Sequence, residues 1–302
     1  MSDTGNITLG FVGLGVMGEP MCRNLVKKSG RPVLAFDLRP EPLQRLSADG
    51  VESVGSLQDL AARAGIIFLS LPGEPQVRAV AQGPDGLIAH MKPGQTLVDT
   101  STCPVSLARE LGEECGAKGI DFADAPVART AQAAIDGTLS IMVGGMDAVF
   151  ARLDPLLHCM GEAVTHCGPV GAGEAVKLMN NMVVVQTVHA IAEALAVARA
   201  SGAVDGKVLF ETLAKSSADS FVLRNHGMKS MLPDTHPEQS FPVDYILKDL
   251  TYAIQLAEES GVNMEAAEAT RQVLERATGM GFGKRYYTIM INAIDGAPDP
   301  EG

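Results

Sequence analysis

Apolar positions along the chain fall first into short runs and later into long periodic stretches. Residues 7–12 (Ile-Thr-Leu-Gly-Phe-Val) form an apolar run that ends in glycines, which predicts a buried strand followed by a tight turn. Over 17–28, Met17, Met21 and Leu25 recur every four residues, the spacing of one helix face. A second run at 33–37 predicts another strand, and runs at 66–71, 96–100, 120–125 and 139–143 continue the series with helical segments between several of them. Strands alternating with helices predict an α/β, doubly wound, mostly parallel sheet covered on both faces.

The pattern changes near Gly168. Gly168-Pro169-Val170-Gly171-Ala172-Gly173 is rich in breakers and predicts a hinge, and no strand is expected after it. Residues 173–200 predict one long helix, apolar on most sides and therefore buried against several neighbours. Further helices are expected near 205–216, 219–231, 244–260, 264–279 and 284–294. The expected division is thus an α/β domain over 1–168 and an all-helical domain over 169–302. The Gly296–Gly302 tail, rich in Pro and Asp, is expected to fray.

Charge and cysteine usage narrow the function classes. A net charge of −12 argues against general binding to nucleic acid or an anionic membrane, which needs excess Lys and Arg. The most apolar stretch, 182–200, carries Gln186, His189, Glu193 and Arg199, which suits a core helix better than a membrane span. Five cysteines, an odd number, and a start without a secretion leader read as reduced thiols in a cytoplasmic protein. His158-Cys159 and His166-Cys167 lack the spacing of a metal knuckle, so no metal is expected. Neither a P-loop nor a Gly-x-Ser-x-Gly elbow is present.

Gly13-x-Gly15-x-x-Gly18 lies between the first predicted strand and helix. Gly13 permits the tight turn, Gly15 removes a side chain where a pyrophosphate approaches backbone, and Gly18 allows close helix–strand packing. The loop residues Leu14, Val16 and Met17 complete the cradle, and the helix N-terminus offers free N–H groups to phosphates. Asp37 ends the second predicted strand, where a carboxylate accepts hydrogen bonds from the adenosine ribose. A negative charge there repels a 2′-phosphate and favours NAD over NADP, although Arg39, two residues on, can tolerate that phosphate if it turns inward. The combination predicts a Rossmann-type dinucleotide site.

Three further constellations carry candidate chemistry. On a helix, Lys177 lies one turn from Asn180 and Asn181, so the three polar groups can converge on a small ligand. Lys177 fits a general acid for carbonyl reduction and a base for the reverse, and a structural Lys–Asn network is the alternative. Asp124-Ala125-Pro126-Val127-Ala128-Arg129-Thr130 follows a predicted strand at its C-terminal end, the side on which open α/β sheets bind ligands. Arg129 and Thr130 suit an oxyanion, while a surface pair of Arg129 with Asp136 is the plain reading. Asp99-Thr100-Ser101-Thr102, also at a strand end, offers hydroxyls to a nicotinamide ribose or a substrate.

In this order the motifs resemble the β-hydroxyacid dehydrogenase family, which includes 3-hydroxyisobutyrate dehydrogenases, and the resemblance covers nearly the whole chain. Gly10 to Gly18 resembles the cofactor fingerprint, Leu71-Pro72 and Asp99–Thr102 the two nicotinamide-side loops, and Gly171-x-Gly173-x-x-x-Lys177-x-x-Asn180-Asn181 the catalytic motif. Lys248-Asp249-Leu250 resembles a later segment that reaches the cofactor. The resemblance implies NAD-dependent oxidation of a short anionic 3-hydroxy acid to a semialdehyde or keto acid. It implies Lys177 as acid/base, Asn180 and Asn181 on substrate, and Leu71, Thr102 and Lys248 on cofactor. Homodimers or homotetramers built on the long helix are implied as well.

Two departures bear on substrate. Many members read Ser-Gly-Gly where this chain has Ala128-Arg129-Thr130, a variant similar to that of sulfolactaldehyde reductases. Tyr286 stands near the place of a frequent later Asp. Imine reduction and a non-catalytic dinucleotide-binding scaffold are the rival readings, and Lys177 argues against both.

Overall fold

The computed structural model describes residues 7–238 and 240–298. The chain forms two compact units that divide after Lys177. Among the described residues the first unit holds nine strands: β1 (Leu9–Val12), β2 (Val33–Phe36), β3 (Glu52–Ser53), β4 (Ile66–Leu69), β5 (Thr96–Asp99), β6 (Asp121–Asp124), β7 (Val127–Ala128), β8 (Leu139–Gly144) and β9 (Gly161–Gly168). Its helices are α1 (Gly18–Ser29), α2 (Pro40–Ser47), α3 (Leu57–Arg63), α4 (Glu74–Ala81), α5 (Leu87–His90), α6 (Val105–Ala117), α7 (Ala131–Asp136) and α8 (Asp147–Leu157). Helix α9 (Ala172–Ser201) starts in this unit and continues into the second.

The sheet order is β3-β2-β1-β4-β5-β6-β8-β7, with β9 on the free edge of β8. Strands β1 to β6 pair in parallel, and the antiparallel contacts are those of β8 with β6 and β7. Every residue of β1, β4 and β5 is buried, as expected of parallel strands covered on both faces. Two apolar cores flank the sheet, one around Phe11, Phe68 and Leu153, the other around Ile67, Leu107 and Leu111. The chain leaves β1 for β2 on one side and returns to β4 on the other, so the order reverses at β1. In doubly wound sheets such a reversal opens a crevice at the C-terminal strand ends.

The second unit is helical: the rest of α9, α10 (Gly206–Leu213), α11 (Val243–Glu259), α12 (Glu265–Ala277) and α13 (Met290–Asp295). Its core gathers Val185, Phe210, Leu250, Leu274 and Ile291. The helix expected over 219–231 is a π-helix at Leu223–Met231. Of the Gly296–Gly302 tail, residues 299–302 lie outside the described residues, and Pro298 is held by Asn292 Nδ2 at 2.8 Å.

One expectation is corrected. Helix α9 is not buried all round: only 39% of its most apolar 18-residue stretch is buried, and Val176, Val183 and Val197 are exposed. Composition established that the helix is apolar, but the turns of a single chain do not cover all of its faces.

Candidate active site

The loops that leave the parallel strands are held in register at one end of the sheet. Gly13 N donates to Phe36 O (3.1 Å), Ser70 N to Val12 O (2.9 Å), Thr100 N to Leu69 O (2.8 Å) and Ala125 N to Asp99 O (2.7 Å). Each bond extends the ladder one residue past a strand, so the four loops start at a common level.

The first of these is the glycine loop. Gly13 has φ +90°, and a Cβ there would overlap the Ser70 carbonyl and lie 2.9 Å from Leu71 Cδ2. A Cβ at Gly18 would overlap the Gly13 carbonyl, so α1 starts hard against the turn. Gly15 differs: a Cβ there would meet nothing within 4 Å. Its lack of a side chain is therefore not required by packing and leaves an open approach to backbone, which fits a phosphate-bearing ligand. Val16 beside it is 71% exposed.

Asp37, at the end of β2, lies against this loop. Its Oδ2 accepts from Leu14 N at 2.6 Å and its Oδ1 from Arg39 N at 2.8 Å. Burial pushes the carboxyl up, but the backbone donors of Arg39 and Leu14 and the Arg39 guanidinium outweigh it, so Asp37 sits below the usual carboxylate range. The Arg39 guanidinium lies against Asp37 (3.3 Å) and the Leu14 carbonyl (3.1 Å). The anion at this corner belongs to the protein, and Arg39 is already engaged with it.

Further along the sheet, Leu71 N donates to Ser101 Oγ (3.0 Å), joining the Leu71-Pro72 loop to the Asp99–Thr102 loop. Ser101 N donates to Asp99 Oδ1 (2.9 Å), and Cys103 N donates to Glu174 Oε1 (3.1 Å) in the first turn of α9. Asp99, Cys103 and Glu174 each bring one ligand-type atom within 4.8 Å of the others in a buried cluster. Sequence reading missed this cluster because Glu174 lies 71 residues beyond Cys103 in the chain. Lys177, three residues beyond Glu174, is 8% exposed. The His-Cys pairs are placed otherwise: His158 pairs with Asp154 (3.4 Å), and His166 stacks on Phe150 with its Nε2 2.8 Å from Gly145 O.

Arg129 follows β7 with φ +88°, a left-handed conformation rare for a residue with a side chain. Its guanidinium donates to Thr138 O (2.7 Å) and pairs with Glu162. Asp136 bonds Gln132 instead (2.9 Å). The surface pair anticipated for Arg129 therefore has Glu162 as its partner. Three adjacent strands explain this: Ala128 pairs with Ser140 and Ser140 with Ala163, so residues 129 and 162 come together across the sheet. Thr130 caps α7 by accepting from Ala133 N at 3.3 Å.

In the second unit, Asn181 is buried and its Nδ2 donates to Asp249 Oδ2 at 2.7 Å. Asn180, on the exposed side, donates to Asn181 Oδ1 (3.1 Å). Lys248 Nζ lies 3.0 Å from Asp249 Oδ1 and over the rings of Tyr245 and Tyr252 at 4.8 and 5.2 Å. The buried Asp249 thus holds both Asn181 and Lys248, a role that no local pattern announces. Tyr286 bonds His226, and burial lowers the His226 pKa to about 4 and raises that of Tyr286 to about 12. That corner is aromatic and uncharged at neutral pH.

A sheet reversal at β1, a side-chain-free approach at Gly15 and a carboxylate beside Leu14 are the features of a dinucleotide-binding Rossmann domain. Residues 8–168 match the family described as the NAD binding domain of 6-phosphogluconate dehydrogenase. Residues 171–294 match that described as NAD-binding of NADP-dependent 3-hydroxyisobutyrate dehydrogenase. The chain is 34% identical to 2-(hydroxymethyl)glutarate dehydrogenase of Eubacterium barkeri, over 95% of this chain and 94% of that protein. It is 32% identical to mitochondrial 3-hydroxyisobutyrate dehydrogenase of Rattus norvegicus, over 95% and 86%. Mycobacterium tuberculosis 3-hydroxyisobutyrate dehydrogenase, solved with L-serine, superposes with a TM-score of 0.87 at 28% identity, covering 96% of this chain and 99% of that one. The chain belongs to the 3-hydroxyisobutyrate dehydrogenase-like β-hydroxyacid dehydrogenases, enzymes that act on CH–OH groups with NAD.

Proposed function

We propose that the protein interconverts a short anionic 3-hydroxy acid and its semialdehyde or keto acid, with Lys177 as the general acid/base. The carrying observation is the buried Lys177, three residues beyond the Glu174 that ties α9 to Cys103, the residue after the Asp99–Thr102 loop. A buried ammonium is costly, and in an active site it is commonly kept for its chemistry. Bound NAD supplies the hydride acceptor for oxidation and, when reduced, the hydride donor for the reverse. In oxidation, Lys177 Nζ takes the hydroxyl proton as the C–H bond breaks and C=O forms; in reduction it returns that proton to the carbonyl oxygen.

Gly13, Leu14, Gly15, Val16, Met17, Gly18 and Asp37 would hold the adenosine and pyrophosphate. Leu71, Pro72, Thr102 and Lys248 would hold the nicotinamide half. Ser101, Ala128, Arg129, Thr130, Asn180 and Asn181 would hold the substrate. The substrate class is supported by the relatives, whose names specify hydroxylated carboxylic acids. A sulfonated aldehyde, sulfolactaldehyde, is a second reading that rests on Arg129. For Arg129 to grip a substrate anion, its guanidinium must exchange Glu162 for it. Steady-state rates over short semialdehydes, sulfolactaldehyde included, decide between them: preference for the sulfonate supports the second reading, and no turnover of any of them with NADH sinks both.

The exposed valines of α9 support a homodimer or homotetramer in which a second copy covers this helix. Sedimentation velocity tests it, and a monomer at micromolar concentration contradicts it. The five free cysteines suit a reducing compartment, the cytoplasm.

A further inference from the structure

We infer that Asp124 is a positioning residue for Lys177: its carboxylate clamps the first turn of α9 and thereby fixes where the lysine stands. This rests on the reading of Lys177 as the acid/base.

The geometry is that of a cap supplied from a distant part of the chain. Asp124, the last residue of β6, is fully buried. Its Oδ1 accepts from Gly171 N at 2.7 Å and its Oδ2 from Glu174 N at 2.8 Å. The first N–H groups of a helix have no partner within the helix. Here no side chain of the segment supplies the cap, because the preceding residues Gly168-Pro169-Val170-Gly171 carry no acceptor side chain. One carboxylate from across the fold does so, holding donors on either side of the helix start.

The surroundings are cut to fit that carboxylate. A Cβ at Gly144 would overlap Asp124 Oδ1 and sit 2.8 Å from Oδ2. A Cβ at Gly173 would overlap the Met142 carbonyl and sit 2.9 Å from Asp124 Oδ2. Two glycines, on β8 and α9, therefore let the helix close onto the acid. Glu174, whose amide Asp124 holds, sends its own side chain to Cys103 N (3.1 Å). The first turn of α9 is thus fastened to the end of β6 and to Cys103 in the loop after β5, and Lys177 rides on the next turn. Burial, with the neighbouring Asp99 adding to it, pushes the Asp124 carboxyl up to about 6 despite the backbone donors of Gly171, Glu174 and Asp124 itself. Both carboxylate oxygens accept from backbone N–H groups, which favours the ionised form in a site whose burial disfavours it.

The test is a double-mutant cycle on the full-length enzyme with NADH and the best substrate of the panel. Asp124→Asn keeps the shape but turns one of the two acceptors into a donor that faces an N–H. The expected result is a fall in kcat of about tenfold or more, with the NADH dissociation constant within about twofold of wild type. Placed on Lys177→Ala, the same substitution should cost nothing further, because the group it positions is gone. Undiminished kcat in Asp124→Asn, or a full additional loss on Lys177→Ala, overturns the inference. Near-wild-type turnover of Lys177→Ala alone instead overturns the acid/base reading, so the two failures are distinct. If Asp124→Asn does not fold, Asp124→Ser, smaller and still able to accept one N–H, is put through the same cycle. Amide exchange in the wild-type protein gives an independent outcome: Gly171 and Glu174 amides that exchange as fast as an open loop contradict the clamp.

Discussion

Gly13 and Gly15 stand two residues apart in the same loop, yet alanine should act on them in opposite ways. At Gly13 the backbone is left-handed, which costs a residue with a Cβ roughly 1–2 kcal/mol. The added methyl also overlaps the Ser70 carbonyl, and overpacking of that kind costs about 1–3 kcal/mol more. A destabilisation of about 2–5 kcal/mol lowers Tm by on the order of 10 °C in a protein of this size. Gly15→Ala meets no atom within 4 Å and has no positive φ to strain. Stiffening the unfolded chain there should leave stability unchanged or raise it by up to about 1 kcal/mol. The same methyl fills the approach to the pyrophosphate, so NAD affinity should fall at least about tenfold, or 1.4 kcal/mol. Thermal unfolding with and without NAD reads both effects at once. At a concentration 100 times the wild-type Kd, NAD stabilises wild type by about 2.7 kcal/mol, and that shift should shrink in Gly15→Ala. Wild-type NAD affinity in Gly15→Ala would refute the cradle. A Tm loss in Gly15→Ala as large as in Gly13→Ala would refute the packing argument.

Three further outcomes follow from the same geometry. Asp37→Ala removes the charge that repels a 2′-phosphate and releases Arg39, so the ratio of kcat/KM for NADH over NADPH should fall by about tenfold or more, and an unchanged ratio contradicts the assignment. Glu162→Gln weakens the hold on Arg129; if Arg129 binds the substrate anion, KM for sulfonated and carboxylated aldehydes should drop, and an unchanged KM sends Arg129 back to a surface role. Glu19 is held below the ordinary carboxylate range by its hydrogen bond to Arg45 and by Arg23, against burial. A depressed pKa contributes stability above the unfolded value of 4.5, lost as pH falls through the folded one. Glu19→Gln should therefore be less stable than wild type at pH 7 and converge with it below pH 4.5, as followed by urea unfolding; a difference that stays constant with pH contradicts the pairing.

What could be read in the sequence was what depends on near neighbours. The apolar runs that enter glycines became β1 and the loop after it, and Asp37 ends the strand that pairs with β1. The long helix was legible from its apolar length, but its exposed valines were not, since periodicity says how apolar a helix is and not which faces the chain covers. Arg129 was visible as a cation at a strand end. Its partner Glu162 was not, because only the pairing of β7, β8 and β9 brings the two together. Asp124 was noticed for the loop that follows it, whereas its bonds reach 47 and 50 residues along the chain to Gly171 and Glu174. Local pattern cannot announce such contacts, and they are the ones that set the geometry of the site.

The central claim is that Lys177 moves the proton in a reaction driven by NAD. Single-turnover reduction of the best semialdehyde by NADH, in wild type and Lys177→Ala, with NADH binding measured by fluorescence in both, tests it most directly. The predicted result is a rate loss of about 10²–10⁴-fold with NADH binding intact. A variant that turns over at near the wild-type rate would contradict the account.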